Sequence, residues 1–262
     1  MGKLKLSIVY YLNALPLSWG FMYGEERQVF DLDFSPPWRC ADLLARGEVD
    51  IGLIPAIEYQ RISGLQVVPG LSVASKRQVK SVLLLSKVPV SEIKSLAVDS
   101  SSRTSVCLLK ILLRAQFKTD PVFETRAPDL ETMLENRDAA LLIGDVALKA
   151  ETDRLYRYDL AEEWRTFTGK PFVFAFWGVR GAAGWTDTTV FEKSFEYGRS
   201  RYEEIVTNQA QQLGLSEDLI RTYITEHIDY SLDAENMEGL RLFFELAREY
   251  LLIDTVRGLE FL

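Results

Sequence analysis

Residues Lys3 to Tyr10 carry Leu4, Leu6 and Ile8 on one face in the two-residue period of a strand, and the run breaks into Tyr10-Tyr11-Leu12-Asn13-Ala14-Leu15-Pro16-Leu17. Pro16 suits the first turn of a helix, where its missing N–H would have no intrahelical partner anyway. A chain that runs strand, polar turn, helix is committed to layered α/β packing, and in such folds ligands gather where strands end. Asn13 therefore stands at a strand-to-helix mouth.

The same pattern recurs downstream. Val29 to Phe34 reads as a second strand, Cys40 to Gly47 as a helix ended by glycine, and Val49-Asp50-Ile51-Gly52-Leu53-Ile54-Pro55-Ala56 as a buried strand that turns at Pro55. Ser81 to Leu85, Leu96 to Val98, Val122 to Thr125 and Ala139 to Ile143 are further short strands, so the fold class is a mixed α/β sheet architecture. Val106 to Phe117 is apolar almost all round, which fits a helix packed inside a domain. Towards the C-terminus, Phe191, Phe195, Tyr202 and Ile205 share a helical stripe whose middle slot is Gly198, and Met237, Leu240, Phe244, Ala247 and Leu251 form another. Such stripes are what core packing requires.

Lys87-Val88-Pro89 marks a first crossing between two lobes and the strand Phe172 to Val179 a return. The expected division is residues 1–87 with 177–262 as lobe I and residues 88–176 as lobe II. An inserted lobe leaves a cleft that closes by hinge motion around a small ligand.

Charge narrows the ligands. The formal net charge is −8, from 30 Lys+Arg against 38 Asp+Glu, which argues against nucleic acid and anionic membrane surfaces as partners. Any anionic ligand must be held by local donors. Cys40 and Cys107 lie far apart without metal-ligand spacing, which points to a reducing cytoplasm rather than a disulfide framework. Asn13 and Pro16 interrupt the N-terminal apolar run, so no secretory signal is expected, and no apolar run approaches the ~18 residues of a membrane span.

Asp99-Ser100-Ser101-Ser102-Arg103-Thr104-Ser105 stands between a short strand and the buried helix. One residue suffices to cap a helix, at ~1 kcal/mol. This stretch has many more hydroxyls than that, with an arginine among them. Together with the free N–H groups and dipole of the helix start, Ser102, Arg103, Thr104 and Ser105 make a carboxylate site. Ile143-Gly144-Asp145 closes another strand: Gly144 lets backbone approach a ligand, and Asp145 fits a helix cap unless its loop lines the same cleft. His227 is the only histidine and lies far along the chain from every such turn, so imidazole relays and histidine metal sites are poor hypotheses. No phosphate-binding glycine loop or nucleophile elbow is present.

Taken in order, Tyr11-Leu12-Asn13-Ala14-Leu15-Pro16-Leu17, Val49 to Pro55, Val79-Lys80-Ser81-Val82-Leu83-Leu84, Asp99 to Ser105, Ile143-Gly144-Asp145 and Trp164 through Thr168-Gly169-Lys170-Pro171-Phe172-Val173-Phe174-Ala175 resemble the chorismate dehydratase family of the futalosine route to menaquinone. Lys170 departs from the apolar residue more usual before that proline. The resemblance covers nearly the first 180 residues. It implies a two-lobed fold like that of type II periplasmic solute-binding proteins, in a cytoplasmic enzyme. It also implies conversion of chorismate to 3-(1-carboxyvinyloxy)benzoate and water, a hydro-lyase reaction with no metal or organic cofactor. Asn13 is then the catalytic amide. Ser81 contacts substrate, with Tyr11, Pro55, Ser102, Arg103, Thr104, Ser105, Gly144 and Asp145 as the other expected substrate-binding residues. The alternatives are 1,4-dihydroxy-6-naphthoate synthase of the same pathway, which relies on a cleft histidine, and a non-catalytic binding protein for a small carboxylate.

Overall fold

The computed structural model describes residues 3–99 and 101–262, so Ser100 of the hydroxyl-rich turn lies outside the described residues. Among these, eleven strands form two sheets. In chain order they are β1 (Lys5–Ile8), β2 (Asp31–Phe34), β3 (Ile51–Pro55), β4 (Leu65–Ser75), β5 (Val82–Ser86), β6 (Ser95–Asp99), β7 (Val122–Arg126), β8 (Ala139–Ile143), β9 (Tyr156–Asp159), β10 (Phe172–Arg180) and β11 (Asp229–Leu232). The six-stranded sheet has the order β11-β4-β10-β3-β1-β2, and the five-stranded sheet β7-β6-β8-β5-β9.

Each sheet has a point where strand order reverses. β1 lies between parallel β2 and β3, and β6 lies between parallel β7 and β8. Chain connections leave such a strand in opposite directions, which opens a crevice at its carboxyl end. The Asn13 turn follows β1 and the hydroxyl-rich turn follows β6, so the two turns singled out in the sequence occupy equivalent places in the two sheets.

The strands read as buried because their side chains are. Leu83 and Leu85 of β5 pack with Ala97, Ala140 and Leu142 on one face, whereas Leu84 turns to the main core with Leu96 and Leu141. This is the two-residue alternation of a strand covered on both faces. The helix Thr104–Ala115 is buried over most of its surface, as its apolar sequence requires.

The sheets divide the chain differently from the expected boundaries. Residues 82–86 pair with β8 and β9 in the five-stranded sheet, although they fall within 1–87. Residues 172–176 pair with β3 and β4 in the six-stranded sheet, although they fall within 88–176. The proline at 89 marks the far end of β5 rather than the crossing. The first crossing is anchored by buried Asp159, which accepts from the N–H groups of Val79 (3.1 Å) and Lys80 (2.6 Å). The same carboxylate caps the helix Leu160–Thr168, accepting from Ala161 (3.1 Å) and Glu162 (3.3 Å).

The stripe through Gly198 is two helices, Thr189–Ser200 and Tyr202–Leu213. Gly198 is there for contact: a Cβ on it would stand 2.1 Å from the Pro16 carbonyl oxygen, so its absence lets the helices Leu15–Tyr23 and Thr189–Ser200 cross closely. β4, β9 and β11 were not expected.

Candidate active site

The turn after β1 is built from its own backbone. The Tyr11 carbonyl accepts from Ala14 N–H (2.8 Å) and Leu15 N–H (3.2 Å), which projects Asn13 from the strand end. The opposite lobe braces it: Leu12 N–H donates to Asp145 Oδ1 at 3.1 Å. Gly144, at the head of the same loop, has φ +63°, and a Cβ on it would lie 3.1 Å from Tyr11 Cδ2. The tyrosine ring thus lies against bare backbone, a contact that Gly144 alone permits.

The turn after β6 is held by Asp99, whose Oδ1 accepts from Ser101 N–H (2.8 Å) and Ser101 Oγ (2.6 Å). The following helix Thr104–Ala115 has no side-chain cap. Its leading N–H groups are therefore not consumed by a cap, and the positive end of its dipole is open. Ser102 Oγ is buried and has no hydrogen-bond partner among the described residues. Thr104 Oγ1 accepts from Ile57 N–H of the other lobe at 3.2 Å, which leaves its own hydrogen to donate.

These two turns face one cavity between the sheets, about 70 Å³. Tyr11, Asn13, Pro55, Ser102, Arg103, Thr104, Ser105 and Gly144 all line it. Ser101 joins them, over apolar walls that include Val9, Val82 and Phe174. The walls present hydroxyls, an amide and a helix start, and among the described residues no Asp or Glu lines them. In a protein of net charge −8, that is a local inversion suited to an anion.

Three expectations need correction. Ser81 is fully buried behind the wall, where its Oγ accepts from the Tyr223 hydroxyl at 2.6 Å. Asp145 is likewise behind the wall and points at Leu12 N–H; burial pushes its carboxyl up to about 6, against the pull of that hydrogen bond. It neither lines the cavity nor caps its own helix, which has no side-chain cap. Arg103 does line the cavity, but its guanidinium is committed to Asp42 (2.7 Å) and Glu58 (2.9 Å) of the other lobe. It clasps the lobes instead of offering a free positive charge.

Tyr223 went unnoticed in sequence, since it sits in a C-terminal stretch with no recognisable motif. It lies in a π-helical turn, Tyr223–His227. Burial raises its phenol pKa, and the hydrogen bond with Ser81 opposes the shift. His227 lines a separate hollow on the outer side of that turn. Both cysteine thiols are buried and pushed up to about 12 by desolvation. Among the described residues no three His, Cys, Asp or Glu side chains gather as a metal-binding group, and no helix is long and apolar enough to cross a membrane.

A profile of the menaquinone biosynthesis family matches residues 4–249. The chain is 31% identical over 260 residues to a chorismate dehydratase of Thermus thermophilus, covering 92% of this chain and 93% of that one. Among solved structures, protein AF1704 of Archaeoglobus fulgidus is similar at a TM-score of 0.75 and 16% identity, over 96% of this chain and 98% of that one. The periplasmic aliphatic sulphonate-binding protein SsuA of Escherichia coli is similar at a TM-score of 0.64 and 17% identity, over 99% and 93%. The fold is the two-lobed fold of periplasmic binding proteins, as the sequence resemblance implied.

Proposed function

We propose that this chain, which belongs to the menaquinone biosynthesis family, dehydrates chorismate to 3-(1-carboxyvinyloxy)benzoate in the cytoplasm, as a hydro-lyase of the futalosine route. The observation that carries this reading is the cavity whose polar lining is donors without carboxylates, with Asn13 facing an uncapped helix start. A cyclic dianion with a hydroxyl leaving group matches it. The bodies that close over the substrate are residues 1–80 with 172–262 and residues 81–171, following sheet membership.

The chemistry needs neither oxidant nor reductant. The C3–H bond breaks, its electron pair becomes a ring double bond to C4, and the C4–O bond breaks to release hydroxide, which leaves as water with the proton. Charge developing at C3 spreads through the ring double bond to the C1 carboxylate. Preorganised donors at that carboxylate, supplied by Ser102, Thr104, Ser105 and the helix start, stabilise it more in the transition state than in the ground state. Asn13 cannot take a proton at neutral pH; it orients the leaving hydroxyl. The substrate's own enolpyruvyl carboxylate serves as the base, its weak basicity offset by proximity. Lobe closure excludes water, and aromatisation drives the reaction.

Incubation of the purified protein with chorismate tests this directly: the cyclohexadiene absorbance is lost and one aromatic ether accumulates. Asn13→Ala abolishes turnover and leaves chorismate binding measurable. Binding without conversion by the unaltered protein favours a carboxylate receptor, and full activity in Asn13→Ala removes the amide from the mechanism.

A further inference from the structure

The hollow outside the π-helical turn Tyr223–His227 is a second cavity, of about 470 Å³, within the usual range for small-molecule sites. Among the described residues, none lines both it and the cavity of the Asn13 turn. Its basic lining comes from three separate parts of the chain. Lys80 belongs to the crossing before β5, Arg157 to β9 of the five-stranded sheet, and His227 to the turn before β11 of the six-stranded sheet. Among the described residues, none of these three side chains makes a hydrogen bond or an ion pair. Asp218 also lines the hollow, but its side chain is 96% exposed and paired with Arg221 Nη1 at 2.8 Å. Much of the remaining wall is apolar, with Leu83, Leu148 and Leu219.

Lys80 stands there at a conformational cost. Its φ is +65°, in the left-handed region where a side chain crowds its own backbone and glycine is the usual occupant. The bond from its N–H to Asp159 Oδ2, at 2.6 Å, pins that backbone and needs no side chain. Glycine would serve the crossing better, so the ammonium is the part of Lys80 that folding does not account for.

We infer that this hollow is a second ligand site, for a small anion with an apolar body, an aryl or alkyl carboxylate or phosphate. Arg157 supplies a planar fork for two oxygens of the head group, Lys80 a point charge and His227 a ring N–H. Charge alone holds an anion weakly here, because Arg157 is exposed and its pairing is screened by solvent. The leucines therefore matter: a ring or chain laid against them leaves water and adds to binding. A ligand so held touches the crossing and both lobes at once, away from the Asn13 cavity.

His227 is the only histidine of the chain, so its ring C–H protons give a signal from one residue at the site itself. The test is a proton NMR titration of the untagged full chain with phenyl phosphate and, separately, benzoate, at constant neutral pH and ionic strength, with inorganic phosphate as the head group alone. An aryl probe moves the His227 signal saturably, and inorganic phosphate binds about tenfold or more weakly. The tighter of the two aryl probes identifies the head group. Arg157→Gln and Lys80→Gly each weaken that probe about tenfold or more. Lys80→Gly does so with an equal or higher denaturation midpoint, since glycine suits the backbone there.

No saturable movement of the His227 signal overturns the proposal, and so does a movement that Arg157→Gln and Lys80→Gly leave unchanged, which places the probe in another cavity. Inorganic phosphate binding as tightly as the aryl probes overturns the ligand class. A lower midpoint in Lys80→Gly shows that the lysine serves the fold and removes it from the site. None of these readouts involves turnover, so they stand apart from the dehydration of chorismate.

Discussion

Asp145→Asn is expected to make the protein more stable at neutral pH, and the structure sets how much. The carboxyl is half-buried and desolvated, and its pKa is raised from 3.8 to about 6, whereas the unfolded chain restores it to about 3.9. The folded state therefore binds the proton more tightly. Stability falls as pH rises through that window and is level above it. At 1.36 kcal/mol per unit, the rise corresponds to about 3 kcal/mol of lost stability at pH 7.5. The asparagine amide oxygen still accepts from Leu12 N–H, so the brace on the Tyr11–Asn13 turn survives while the buried charge does not. Urea denaturation of both proteins at pH 7.5 and pH 5 isolates this group, because other buried carboxyls cancel in the difference. The variant is the more stable protein at both values, and its advantage grows by about 1.4 kcal/mol between pH 5 and pH 7.5. An advantage that does not change with pH, or a variant weaker than the parent at pH 7.5, would refute the argument that burial holds this carboxyl high.

Two further outcomes follow from the packing. Arg103→Gln removes the cation shared by Asp42 and Glu58 across the cleft; Arg61 still faces Glu58 at 2.7 Å, so the protein folds, but ligand-free X-ray scattering gives a larger radius and chorismate binds about tenfold or more weakly. Unchanged scattering and affinity would show that the clasp does not hold the lobes. Gly198→Ala drives a methyl into the Pro16 carbonyl and costs about 3 kcal/mol or more, read as a lower denaturation midpoint. A midpoint equal to the parent would mean that the two helices separate freely.

What the sequence made legible was local. Strand-ending turns announce themselves through the break in hydrophobic period, and the loops carrying Asn13, Pro55, Ser102–Ser105 and Gly144 were each found that way. Their convergence on one cavity rests on strand order, which periodicity does not encode. β4 was missed because Pro69 and Gly70 interrupt an otherwise apolar stretch, although the strand runs through them from Leu65 to Ser75. Ser81 and Asp145 were placed at the correct strand ends, but whether a side chain faces a cavity or the wall behind it depends on neighbours over a hundred residues away, Tyr223 for one and Leu12 for the other. Arg103 shows the same limit for charge. Its sequence neighbours are hydroxyls, and the carboxylates that claim it arrive from residues 42 and 58.

The knot at Asp159 restricts how the molecule can bend. Two amides of the first connecting segment and the two leading amides of the helix Leu160–Thr168 converge on one carboxylate, so that segment cannot slide along the helix start the way a loose strap would. Shear at that crossing is resisted by the bonds to Val79 and Lys80. Where the chain passes into the second half, then, the same few atoms hold it in register.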